Sequence, residues 1–274
     1  MSPAPAATPD SPPIMLVHGF WVTPRSWENW IARYEALGYE VIAPSYPGLE
    51  IEVEALREDP SPIAELTIND IVDNFEAKLQ ELGREPIIIG HSAGGVFTQL
   101  LLQRGHGVAA VACNSAPTEG VKVVPLSQVK STFEVLKNPA NRHRAVAFSE
   151  EQWKYAFGNT LSEEESRDLY EKYAIAAPGR IVWQSVLANV EPGHQDSWVD
   201  YKNPDRAPLL FISGGEDHIM PPSVQASNAK HYKAEGLITE HETFEGRDHA
   251  MVAATGWEDV ADRALEWAVE HAKA

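Results

Sequence analysis

Residues 86–97, Pro-Ile-Ile-Ile-Gly-His-Ser-Ala-Gly-Gly-Val-Phe, pass from a strand-length apolar run through a glycine-rich turn into a helical run. Inside them lies Gly90-His91-Ser92-Ala93-Gly94, a G-x-S-x-G between strand and helix, the context that gives this pattern its meaning. A nucleophilic serine must stand above a sheet on a sharp, strained turn. Glycines two before and two after it leave room for the backbones that cross there, and Gly95 adds further relief. A helix starting at the serine also points its positive dipole end at any oxyanion that develops beside it.

Outward from this turn, apolar runs of strand length alternate with amphipathic runs of helix length. The IIIG run and LLFIS at 209–213 are continuous rather than alternating, as strands covered by helices on both faces require. Further strand candidates lie at 14–18, 40–43, 108–113 and 238–244. Residues 26–37 place Trp27, Trp30, Ile31, Tyr34 and Leu37 on one helical stripe, and 67–82 do the same with Ile68, Ile71, Val72, Phe75 and Leu79. Thr255 and Glu258 have capping-box spacing ahead of a last helix that carries Val260, Leu265 and Trp267. The pattern predicts an α/β fold with a mainly parallel sheet of about six strands and helices on both faces.

The alternation breaks at 118–204, where no strand is evident. Ser149 with Gln152, and Ser162 with Glu165, match the capping-box spacing, and Pro178-Gly179 before RIVWQSVLAN reads as another helix start. This stretch is expected to be a helical cap inserted into a core made of 14–117 and 205–274. Its aromatic rings, Trp153 and Trp183 among them, either line a site beneath the cap or pack the cap onto the core. Residues 1–13 hold five prolines and almost no bulky apolar side chain, and the expectation there is a disordered tail.

A serine hydroxyl is a weak nucleophile and needs a base, itself oriented by a third group. His249 follows the last strand in FEGRDHAM, and Asp217 lies four residues past the 209–213 strand in LLFISGGED. Ser92, Asp217 and His249 therefore all fall at carboxyl ends of strands, where open α/β sheets build their sites. Glu119, beyond the 108–113 strand, is the alternative acid; Asp248 flanks the histidine too closely to bond its ring easily. Acyl transfer further needs fixed N–H donors for the oxyanion. Ala93 supplies one, and Phe20, after the His18-Gly19 turn, the other. Trp21, His91, Trp153 and Trp183 are the candidate substrate-binding side chains.

Composition excludes several other classes. The 274 residues carry 22 Lys+Arg against 40 Asp+Glu, a formal net charge of −18. That field opposes a nucleic-acid backbone and weakens contact with anionic membranes. No run approaches 18 apolar residues and 1–13 lacks a charged leader segment, so the expected protein has no membrane anchor and a cytoplasmic address. The single cysteine, Cys113, in VAAVACNSA, reads as a small buried hydrophobe.

HGFW at 18–21, GHSAGG at 90–95, GGED at 214–217 and GRDHAM at 246–251 together resemble the α/β-hydrolase superfamily across nearly all of 14–271. The resemblance implies a parallel sheet of eight strands or a shortened version, a Ser–Asp–His triad, no organic cofactor and no metal. Too little chain precedes Ile14 for the customary first hairpin, which favours six strands. The function it implies is hydrolysis of a carboxylic ester of a small, largely apolar substrate. A lyase or C–C bond hydrolase using the same triad, similar to hydroxynitrile lyases, and a non-catalytic small-ligand receptor are the alternatives. Relatives that need a carboxylate nucleophile are disfavoured by Ser92 itself.

Overall fold

The computed structural model describes residues 4–273. In chain order the elements are β1 (Ile14–Val17), α1 (Glu28–Ala36), β2 (Val41–Ile42), α2 (Val53–Glu58), α3 (Ile68–Leu82), β3 (Ile87–His91), α4 (Ala93–Gln103) and β4 (Ala109–Cys113). After them come α5 (Leu126–Leu136), β5 (Ala145–Val146), α6 (Glu150–Ala156), α7 (Glu163–Tyr173), β6 (Ala177–Pro178) and α8 (Gly179–Leu187). The chain then returns to the sheet with β7 (Leu209–Gly214), α9 (Pro222–His231), β8 (Thr239–Phe244) and α10 (Trp257–His271).

Six strands form one parallel sheet in the order β2-β1-β3-β4-β7-β8. Successive residues of a strand point to opposite faces, and in β1, β3, β4 and β7 both faces are dry. Met15, Val17, Ile88, Ala110 and Phe211 join one core cluster, while Ile14, Leu16, Ile87, Val111 and Leu210 join the other. The continuity of the apolar runs follows from that double burial. On one face α3 buries Ile68, Ile71, Val72, Phe75 and Leu79, with a Thr67–Asp70 capping box at its start and left-handed Gly83 at its end. On the other, Trp27, Trp30 and Tyr34 meet Val260, Leu265 and Trp267 of α10.

Several local expectations are corrected. Residues 4–13 are ordered: Ala7 N donates to Leu37 O at 2.8 Å, Tyr39 Oη donates to Pro5 O at 3.2 Å, and Ala4 and Ala7 pack on the α1–α10 cluster. The prolines that deny this segment a core of its own also lower the entropy lost when it docks. Residues 1–3 of the expected tail lie outside the described residues. The helix α10 is opened by left-handed Gly256 and not by a Thr255 cap, because the Thr255 amide is engaged with Glu165 Oε1 at 2.8 Å. The same bond leaves the Ser162–Glu165 box half formed, with only Ser162 Oγ accepting from Glu165 N. The Ser149–Gln152 box is complete. Between β4 and β7 the regular elements are helices apart from an antiparallel β5–β6 ladder, two residues long on each side, too short to leave a periodic signal.

Candidate active site

Ser92 sits between β3 and α4 at φ 57° and ψ −120°, a conformation that costs a non-glycine residue about 1–3 kcal/mol. The surroundings over-determine it. Its N–H donates to Cys113 O at 3.0 Å, and its carbonyl accepts from Gly95 N at 3.0 Å and Ala116 N at 2.9 Å. Glycine is required on either side because of close approach: a Cβ on Gly90 would overlap Gly94 O, and one on Gly94 would overlap the carbonyls of Val17 and His18.

His249 Nδ1 and Asp217 Oδ2 are 2.6 Å apart, and both side chains are fully buried. The other carboxylate oxygen accepts from the amides of Ile219 and Met220, each at 2.8 Å. Asp217 can only accept here, so Nδ1 carries the proton and Nε2 is left as the basic nitrogen. His249 Nε2 is buried and, among the described residues, makes no hydrogen bond, to Ser92 Oγ or otherwise. The loop bearing His249 is tied to the elbow, because its carbonyl accepts from His91 Nε2 at 2.9 Å. Glu119, the alternative acid, instead binds His194 Nδ1 at 3.0 Å and Gln195 N at 2.6 Å. Asp248 holds Thr160 through its amide and hydroxyl, and burial pushes its carboxyl above the ordinary range.

Asn114, which sequence reasoning missed, braces these loops. It is buried with φ 44°; its Oδ1 accepts from Gly214 N at 2.6 Å and its Nδ2 donates to Asp248 O at 3.1 Å. One side chain thus joins the ends of β4 and β7 to the residue before His249. Nothing in the sequence marks it beyond an asparagine directly after a strand, a residue type that tolerates left-handed backbone.

The turn after β1 lies against the elbow, close enough that a Cβ on Gly19 would stand 2.7 Å from Ser92 Cβ. Neither Phe20 N nor Ala93 N has an acceptor among the described residues, and both residues face the cavity over Ser92. Trp21, next to Phe20, has φ 64°. The cap holds it there: its indole Nε1 donates to Val146 O at 3.0 Å, its carbonyl accepts from Ile175 N at 3.0 Å, and its ring stacks on Phe148 at 4.2 Å. Trp21→Phe keeps the stack and loses the indole bond. It is expected to cost about 1 kcal/mol of unfolding free energy in urea titration, and an unchanged midpoint would remove this role.

A cavity of about 350 Å³ opens over Ser92, Phe20, Trp21 and Ala93. Its wall includes Val182, Ser185 and Val186 of α8 and Asn189 just past its end, an i, i+3, i+4, i+7 stripe whose spacing is visible in the sequence. Trp183 is one residue off the stripe, about 100° round the helix, and carries the Arg142 guanidinium at 4.5 Å instead. His91 and Trp153 face a separate recess of about 20 Å³, where Trp153 stacks on Phe157 at 4.2 Å. Of the four candidate substrate-binding residues, only Trp21 reaches the cavity. Among the described residues no charged side chain lines it. The polar ones are spent locally: Thr132 Oγ1 donates to Gln128 O, Ser185 Oγ to Ile181 O, Gln128 Nε2 to Met220 Sδ, and Asn189 bridges Gly120 N and Val121 O.

Two further imidazoles adjoin the site, both neutral. Burial takes His18 down to about 4 and His91 well below the ordinary histidine range. His18 is stacked on Tyr46 at 3.8 Å, and its Nδ1 donates to Gly19 O at 2.9 Å. In the unfolded chain His18 takes up a proton near pH 6.5 and in the folded chain only near pH 4, so stability is fully present above pH 6.5 and falls as pH drops towards 4. For His18 alone the loss is roughly 3 kcal/mol. Urea titrations at pH 7 and pH 4.5 are expected to converge in His18→Gln relative to wild type; an equal pH slope in both would refute the assignment. Burial likewise pushes the Cys113 thiol up, in keeping with an inert core side chain.

A parallel sheet carrying a strained serine elbow and a buried Asp–His pair at the carboxyl ends of its strands defines the hydrolase architecture of α/β proteins. The chain belongs to the alpha/beta hydrolase family, whose model matches residues 14–263. No curated protein sequence matches it. Among solved structures it is similar to the monoacylglycerol lipase of Paleococcus ferrophilus, with a TM-score of 0.66 and 18% identity over 96% of this chain and 97% of that one. An extracellular alpha/beta-hydrolase from a Paenibacillus species gives 0.67 and 17% over 95% and 99%. The naproxen esterase of Bacillus subtilis gives 0.63 and 17% over 96% and 85%. At these identities the likeness is one of fold. Among the described residues no helix is long and apolar enough to cross a membrane, and no group of three or more His, Cys, Asp or Glu side chains is placed to hold a metal.

Proposed function

We propose that the protein is a serine hydrolase that cleaves carboxylic esters with apolar substituents. The carrying observation is the buried Asp217–His249 pair at 2.6 Å, its free Nε2 at the end of the sheet where Ser92 is held on a left-handed turn. In this reading Ser92 Oγ turns to His249 Nε2 as substrate binds and adds to the ester carbonyl while the imidazole takes its proton. Asp217 holds the tautomer and stabilises the imidazolium. The amides of Phe20 and Ala93 receive the oxyanion. His249 then returns the proton to the departing alcohol, and a water repeats the sequence on the acyl-enzyme.

Substrate class follows from the cavity. A charged substituent would lose its water without meeting an opposite charge, because among the described residues no charged side chain lines the cavity and the Thr132, Ser185 and Asn189 side chains already donate to neighbouring backbone carbonyls, so apolar acyl or aryl groups are favoured. The esterase and lipase named among the similar structures are in keeping with this. The test is hydrolysis of p-nitrophenyl esters of increasing chain length, with Ser92→Ala as the blank. Turnover that needs Ser92 and rises from acetyl to longer apolar chains is expected; turnover that survives in Ser92→Ala would overturn the reading, as would silence in wild type with every ester.

A further inference from the structure

We propose that Asp248 is a positioning residue for the base: it keeps a second negative charge beside the His249 imidazole and fastens the loop that carries it to the turn between α6 and α7. This rests on the esterase reading and adds a residue to its machinery.

Asp248 is buried, and its carboxylate meets three donors. Oδ1 reaches past His249 to accept from Ala250 N at 3.1 Å, which caps the short 3-10 turn His249–Val252. Oδ2 accepts from Thr160 N at 2.9 Å and from Thr160 Oγ1 at 2.7 Å. N–H and O–H groups directed at both oxygens leave no acceptor for a carboxylic proton, so the site is built for the ionised form. Burial and the Asp217 carboxylate push the group towards neutrality, and the Thr160 and Ala250 donors oppose them.

The cap side of this tie holds both catalytic loops. Phe157 O shares the Ala250 N–H at 3.0 Å, and the Phe157 ring stands edge-on to the imidazole at 4.6 Å. Tyr155 O accepts from His218 Nδ1 at 2.9 Å, and Asn159 Nδ2 donates to Glu216 O at 2.8 Å. The neighbours of Asp217 and those of His249 are thus pinned to one short cap segment, residues 155–160. Among these ties the one at Thr160 is made by a carboxylate, and it lies nearest the base in the chain. Around the imidazole stand Asp217 on Nδ1 at 2.6 Å, Asp248, and His91, whose ring centre is 4.6 Å away. Burial keeps His91, and His18 beyond it, neutral. The cations on the adjoining segments, Arg247 and Lys154, donate to Thr255 O and Leu161 O. The imidazolium formed when Ser92 gives up its proton therefore meets two negative charges, Asp217 bonded to it and Asp248 held by the cap.

The experiment compares wild type, Asp248→Asn and Thr160→Val in two ways: kcat and KM across pH on a p-nitrophenyl ester, and NMR titration of the His249 imidazole, which needs no turnover. Asparagine keeps the size and removes the charge. The imidazolium then loses one of its two carboxylates, so the His249 titration and the acid limb of kcat/KM are both expected to move to lower pH by about half a unit or more. In the same variant kcat should fall about tenfold as the base's loop loosens, with KM within about twofold of wild type. Thr160→Val has the shape of threonine, removes one donor and keeps the charge. It should lose kcat at unchanged KM, and Thr160→Ser, which keeps the hydroxyl, should restore it. An unmoved His249 titration in Asp248→Asn overturns the proposal. So does wild-type kcat in Thr160→Val, a variant that decides the matter should Asp248→Asn fail to fold. If wild type hydrolyses no ester, the esterase reading fails, and the NMR titration still decides the role of Asp248.

Discussion

Replacing Ser92 by alanine is expected to lower ester hydrolysis about 10⁴-fold or more, with the folded state intact. The size follows from the division of labour at the elbow. Without the hydroxyl no acyl-enzyme forms, and what survives is the attraction of the Phe20 and Ala93 amides for an oxyanion raised by water. His249→Ala should cost nearly as much, because the hydroxyl then has nowhere to send its proton. The two losses should not add: the double variant is expected to match either single one within a few fold, since serine and imidazole act as one unit. Pre-steady-state kinetics with a p-nitrophenyl ester would show a burst of nitrophenol in wild type and none in either variant. A double variant that loses the product of the two single effects would mean that Ser92 and His249 act independently, which the proposed mechanism does not permit.

Gly94→Ala is expected to be severely damaging to folding although it adds a single methyl group. The added carbon meets the carbonyls of Val17 and His18, and those belong to the end of β1, which is paired with β3, and to the turn after it. Nothing flexible is available to move aside, so α4 must lift off the sheet or β1 must shift against β3. Either costs more than about 3 kcal/mol. Gly105→Ala is the comparison: that glycine has φ 90° but nothing within 4 Å, so the alanine suffers backbone strain alone, about 1 kcal/mol. Urea titration of the two variants reads the difference, and equal midpoints would mean that the packing at Gly94 is looser than these contacts require.

The parts of this molecule that can be read from sequence are those where one residue type answers to one physical demand. The runs in β3, β4 and β7 must be apolar at every position because both faces are covered, and the paired glycines around Ser92 must be small because two backbones meet there. Loops at strand ends brought Asp217 and His249 into bonding distance for the same reason: topology, not side-chain detail, sets where they lie. What escaped depends on contacts between distant segments. Trp153 and Trp183 looked like cavity residues because they are large and aromatic, yet their directions are set by how α6 and α8 dock, and that docking turned the valines of α8 inward instead. Thr255 had the right spacing for a cap and lost its amide to a glutamate 90 residues earlier. Asn114 carries no pattern at all, since its partners lie 100 and 134 positions away.

The arrangement around Trp21 bears on how such enzymes can be recombined. The residue beside the Phe20 amide is kept in an unfavourable backbone state by a carbonyl, an amide and a phenyl ring that all belong to the inserted segment. A cap transplanted from another family member would therefore alter more than the choice of ester. Unless the graft brings an acceptor at the place of Val146 O, a donor at the place of Ile175 N and a flat ring at Phe148, the loop after β1 is free to relax and carry the Phe20 N–H away from the oxyanion position proposed for it. In this chain the insertion and the core are not interchangeable modules, and libraries built by exchanging the insertion should hold these three contacts constant while the rest of its sequence is varied.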